Sequence, residues 1–90
     1  MNLHIGNLDH STSEERLRVL FTSYGLVTEV LIFREKETGI SCGFGCVQMP
    51  DHSQAHRAIE HLNGAKLDTQ VITVEPARPR LAMQHSSRKQ

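Results

Sequence analysis

The sequence predicts an α+β domain in which two helices cover one face of a four-stranded antiparallel sheet. Two segments, near residues 12–25 and 51–64, each combine a capping residue, an apolar stripe of helical period and a terminating glycine. Four strand-like runs surround them, at about 2–6, 27–34, 41–49 and 71–77. The resulting order, strand-helix-strand-strand-helix-strand, is the split βαβ or ferredoxin-like arrangement. Two helices can cover only one side of such a sheet. The other side is left open, and function is expected there.

Each element follows from its residues. In the first strand Leu3 and Ile5 share a parity and point to the helices, so His4 points outward. In "STSEERLRVLFTSYG", Thr12 is the expected N-cap, with Glu15 three residues on to complete a capping box. Leu17, Leu20, Phe21 and Tyr24 then form one stripe, and Gly25 stops the helix. The second strand turns Val30 and Ile32 inward and Leu31 and Phe33 outward. "REKETGIS", residues 34–41, carries Thr38-Gly39 between two strand-like runs and reads as a hairpin loop. In the third strand, "CGFGCVQM", the inward positions are Gly43, Gly45, Val47 and Met49. Cys42, Phe44, Cys46 and Gln48 are left on the open face. Glycines inside a strand mark a close approach, here expected from the helices. "DHSQAHRAIEHLNG" repeats the helix design, with Asp51 as cap and Gln54 completing the box. Its stripe is Ala55, Ala58, Ile59 and Leu62, and it ends at Gly64. The last strand buries Ile72 and Val74 and exposes Thr73 and Glu75.

Composition narrows the function. Ninety residues with 38% hydrophobic content make one small globular domain. No apolar run is long enough to cross a membrane, and "MNLHIGNLDH" lacks the regions of a signal peptide, so a cytoplasmic protein is expected. The formal net charge of zero conceals an asymmetry. Residues 1–77 hold six Lys/Arg against ten Asp/Glu, a net of −4, whereas "RPRLAMQHSSRKQ" holds four Lys/Arg and no acid. A basic tail attracts phosphate; it can equally serve only to keep a chain in solution. Cys42 and Cys46 stand four residues apart in an extended run, roughly 13 Å. Bridged Cα atoms sit at about 4.4–6.8 Å, so no internal disulfide is expected.

"LHIGNL" at residues 3–8 and "CGFGCVQM" at 42–49 resemble the six- and eight-residue RNP motifs of the RNA recognition motif (RRM) family. "YGLVTEVLIF", "EKETGIS", "AIEHLNG" and "VITVEPARPR" fall where that family places them, and the chain most resembles the small single-RRM proteins of bacteria and cyanobacteria. The resemblance implies an RRM domain over 1–80, a short basic tail over 81–90, and strands in the order 4-1-3-2. It also implies single-stranded RNA bound across the open sheet, with bases stacked on one aromatic position in the first strand and two in the third. Those positions are held here by His4, Phe44 and Cys46, and Cys42 occupies the place of the usual basic residue. Histidine stacks more weakly than a hydrocarbon ring and cysteine does not stack, so weak binding of low sequence specificity is expected. Single-stranded DNA is a second polymer that would fit.

The candidate RNA-binding residues are therefore His4, Phe44 and Cys46, with Leu31, Phe33, Cys42 and Gln48 around them. Arg34 and Lys36 at the hairpin loop and Arg78 and Arg80 at the tail would meet phosphates. A rival reading uses the same face differently. Leu31, Phe33, Cys42, Phe44 and Cys46 form an apolar patch poor in positive charge, suited to a protein partner or to self-association. A metal site from His4, Cys42 and Cys46 is the least supported, because zinc sites want four closely spaced ligands. His52 and His56, at i and i+4 on an exposed helix start, have no third ligand and read as surface residues. No nucleophile with a paired base, phosphate loop or cofactor fingerprint is present, so neither an enzyme nor a cofactor is expected.

Overall fold

The computed structural model describes residues 1–77. Arg78, Arg80 and the tail over 81–90 lie outside the described residues. Among the described residues six strands and two helices follow in order: β1 (Asn2–Gly6), α1 (Glu14–Thr22), β2 (Glu29–Arg34), β3 (Ser41–Gln48), α2 (His52–Leu62), β4 (Lys66–Leu67), β5 (Gln70–Val71) and β6 (Thr73–Pro76). The main sheet runs β2-β3-β1-β6, all antiparallel. With β6 as the fourth long strand, this is the expected 4-1-3-2 order. Both helices pack on one face, around Leu3, Ile5, Leu17, Phe21, Ile32, Val47, Met49, Ala55, Ala58, Ile72 and Val74, all buried. Tyr24 packs at the edge of this core and stacks on His61 of α2, ring centroids 5.4 Å apart.

Four local expectations are corrected. The cap of α1 is Ser13, whose hydroxyl accepts from the Arg16 N–H; Thr12 is instead buried, and its hydroxyl donates to Asp68 Oδ2 at 2.5 Å. Both residues can cap, and the buried partner claims Thr12. Asp51 does cap α2, accepting from the Gln54 N–H, but the Gln54 side chain does not close the box. Its Oε1 accepts from the Leu26 N–H at 3.0 Å and pins the α1–β2 turn. The run 71–77 is not one strand. Gln70–Val71 pairs with Lys66–Leu67 in a separate ribbon, and the pairing of β6 with β1 starts at Thr73. The positive φ of Asp68, 58°, makes the tight turn of that ribbon.

The fourth correction concerns the glycines of β3. Between Ile32 and Arg34 the partner strand advances from Gly45 to Ser41, so β3 carries a bulge. A Cβ on Gly45 would overlap the carbonyl oxygen of Leu31, on neighbouring β2. Gly43 sits at φ 88°, a backbone state that glycine alone adopts at little cost, and its carbonyl accepts from the Leu8 N–H at 2.8 Å. The close approach therefore comes from sheet backbone rather than from the helices.

Candidate nucleic-acid interface

The open face is built by alternate residues of four strands. His4 of β1 is paired with Glu75 of β6 on one side and Cys46 of β3 on the other, and Cys46 with Leu31 of β2. Asn2, Gln48 and Glu29 form the next row. Next along the strands come Phe33 and Phe44, with Cys42 inside the bulge. Leu31, Phe33 and Phe44 are 43%, 41% and 39% exposed, enough to offer apolar surface to a ligand. Parity thus places these residues as the sequence predicts.

The rings form an array. His4 lies nearly parallel to Phe44, with centroids 5.9 Å apart and planes at 26°. Phe33 meets Phe44 on the other side, at 5.3 Å and 40°. Three aromatic side chains from β1, β3 and β2 therefore run diagonally across the face, within the range of favourable ring pairs. Phe33 faces Phe44 because the register that sets Leu31 opposite Cys46 and Ile32 opposite Gly45 continues by one residue, before the shift to Arg34 opposite Ser41. His4 Nδ1 is buried, has no hydrogen-bond partner, and lies 3.8 Å from Glu75 Oε2.

The third-strand position held by Cys46 leaves a gap in the array. Its thiol is free and half-buried; burial pushes its pKa up, and the nearby Glu29 carboxylate pushes the same way, so it stays protonated at neutral pH. Cys42 is free and exposed. Gln48 is held from the β2 side, its Oε1 accepting from the Thr28 hydroxyl at 2.9 Å. The cations are elsewhere. Arg34 has the parity of the core residues and turns toward α1, bonding Glu14 Oε1 at 3.1 Å and the Gly39 carbonyl at 3.4 Å. Desolvation works to raise the Glu14 carboxyl, but bonds from its own backbone N–H, from Arg34 and from the Ile32 N–H outweigh it and hold the group below its usual range. Lys36 is exposed in the hairpin loop. The structure therefore brings His4, Leu31, Phe33, Cys42, Phe44, Cys46 and Gln48 together and does not bring Arg34 to them. Among the described residues no three His, Cys, Asp or Glu side chains converge to hold a metal, and no helix is long and apolar enough to cross a membrane.

Residues 3–73 match the RNA recognition motif. The chain belongs to the RNA recognition motif family. As an RRM it is 39% identical over 80 residues to RbpE of Nostoc sp. (strain PCC 7120), spanning 89% of this chain and 81% of that one. A crystal structure of the RNA-binding protein PG1 superimposes on this RRM with a TM-score of 0.85 at 40% identity, covering 89% of this chain and 96% of PG1. A complex of the Sex-lethal protein with RNA matches with a TM-score of 0.83 at 31% identity, covering 87% of this chain and 47% of that one. In this RRM the rings at the first-strand and third-strand positions are His4 and Phe44, and Phe33 adds one from β2.

Proposed function

We propose that this RRM binds single-stranded RNA across its open sheet face, stacking bases on His4, Phe44 and Phe33. One observation carries the reading. Three rings from three strands touch one another while remaining exposed, which is costly in water and useful when something flat covers them. The likeness to RNA-binding PG1 and to an RNA-bound Sex-lethal protein supports RNA over a protein partner as the occupant. The protein acts by binding rather than catalysis. Affinity is modest, because Cys46 supplies no stack and the strands present no Lys or Arg on this face among the described residues. Phosphates are met at the rim, by Lys36 in the hairpin loop and by Arg78 and Arg80.

Amide chemical shifts, followed during titration with short single-stranded RNA, test this directly. Shifts confined to β1, β3 and the Phe33 end of β2, saturating at micromolar concentrations or above, are expected. Saturable shifts on the helix layer with the sheet face silent would overturn the reading.

A further inference from the structure

The gap at Cys46 has charged walls. Glu75 flanks it through His4, the carboxylate 3.8 Å from Nδ1. Glu29 flanks it from β2, two residues from Leu31, the cross-strand partner of Cys46, and so on the same face. Both carboxylates belong to strand residues of the open face and are exposed, and no Lys or Arg stands on the strands of that face among the described residues. Neither Glu29 nor Glu75 has a hydrogen-bonded Arg, of the kind that engages Glu14 and Asp68, among the described residues. Asn2 and Gln48 add amide groups in the adjoining row.

A carboxylate only accepts hydrogen bonds. A phosphate brought to this half of the face meets like charge, so the backbone must stay at the rim while bases point in. An aromatic at position 46 would let any base lie flat; the small thiol instead lets a base present its edge to the flanking acids. Sequence-specific RNA recognition works through such edges on unstacked bases. Cytosine offers the N4 amino group, the donor that Glu or Asp side chains accept from. Uracil offers carbonyl oxygens, and its one edge donor, N3–H, lies between two of them, which a carboxylate repels.

We propose that the His4–Cys46 half of the face reads bases through an exocyclic amino group, with Glu75 and Glu29 as acceptors, so that cytosine is preferred to uracil. The inference rests on the RNA-binding reading above and assigns it a base preference. Cytosine and uracil share one ring size, so the comparison isolates the edge from the strength of stacking.

The test titrates the full chain with hexamers of cytidylate and of uridylate near neutral pH, following amide shifts and fitting Kd. The cytidylate hexamer is expected to bind about tenfold more tightly, the discrimination of one good base-edge hydrogen bond. In the double variant Glu29→Gln and Glu75→Gln the preference is expected to shrink to about threefold or less, since the new amides accept and donate alike. Uridylate binding should hold or tighten, because repulsion of the polyanion is relieved. Binding of both hexamers with equal affinity, or a cytosine preference unchanged in the double variant, overturns the inference and leaves the RNA reading standing. Failure of both hexamers to bind overturns both readings.

Discussion

Phe44 is the middle ring of the array, and its removal separates His4 from Phe33. Each base stacked on an aromatic contributes about 1–3 kcal/mol, so Phe44→Ala is expected to weaken RNA binding roughly tenfold or more while the fold survives. Equal Kd values for variant and parent would remove stacking on Phe44 from the account. The neighbouring position gives the converse experiment. Cys46→Phe together with Cys42→Lys supplies a ring and a cation where the face has neither. For the uridylate hexamer, which has no amino edge to lose, tighter binding by about 1–3 kcal/mol is expected for the added stack, measured by the same titration. An unchanged Kd would mean that the face is shaped for a partner other than a stacked base. At this scale the sequence was largely legible, because strand parity alone puts His4, Phe44 and Cys46 on one face. The pairing of Phe33 with Phe44 was not. It depends on the register between β2 and β3, and parity fixes the face of a residue but not its partner on the next strand.

The elements owe their positions to polar and backbone interactions that periodicity does not encode. Gly45 looks like a weak point in a strand, yet a Cβ there would fall on the Leu31 carbonyl oxygen of β2. Because the obstructing atom is backbone, Gly45→Ala cannot be relieved by a side-chain rotation. A destabilisation of about 1–3 kcal/mol is expected, as for overpacked sites, read as a lower midpoint in urea with the slope unchanged. The loop between β1 and α1 is tied to the β4–β5 ribbon by a polar clamp. Asp9 accepts from the Thr69 hydroxyl and from Ser11, while Asp68 accepts from Thr12 and, at 2.6 Å, from Arg16. The Thr69 hydroxyl first, then the backbone and side chain of Ser11, hold the Asp9 carboxyl down to about 2 from the ordinary 3.8. The Thr12 hydroxyl and then Arg16 lower Asp68 as well. Both depressed values favour the folded state above about pH 4, and that contribution disappears as pH falls through the folded value. Thermal melts of Asp9→Asn and Asp68→Asn should therefore lie below the parent at neutral pH and approach it as the pH falls below about 4. A constant separation across that range would show that the clamp does not depend on charge. The same clamp explains the misplaced cap. Thr12 and Ser13 are both good capping residues, and only the ribbon, distant in sequence, decides between them.

The whole molecule separates its charge along the chain. Residues 1–77 carry −4 and residues 78–90 carry +4. The described cations are partly spent, Arg16 on Asp68 and Arg34 on Glu14. Deleting residues 78–90 is therefore expected to weaken RNA binding strongly at low salt and little at high salt. Each phosphate that is no longer neutralised lowers the slope of log affinity against log salt by about 0.7 for single strands. A flattening of roughly one to three units is expected for the four basic residues removed. A slope unchanged by the deletion would assign the attraction to Lys36. The division of the fold into a helix layer and an open sheet has a further, practical outcome. The chain has one tyrosine and no tryptophan, and Tyr24 stacks on His61 at the edge of the helix layer. Its emission will follow the breakdown of that packing and hence denaturation. An RNA strand lying on the opposite side of the sheet will leave that emission unchanged. Intrinsic fluorescence is thus a gauge of integrity for this protein and blind to its ligand, unless a tryptophan is installed at Phe33 or Phe44.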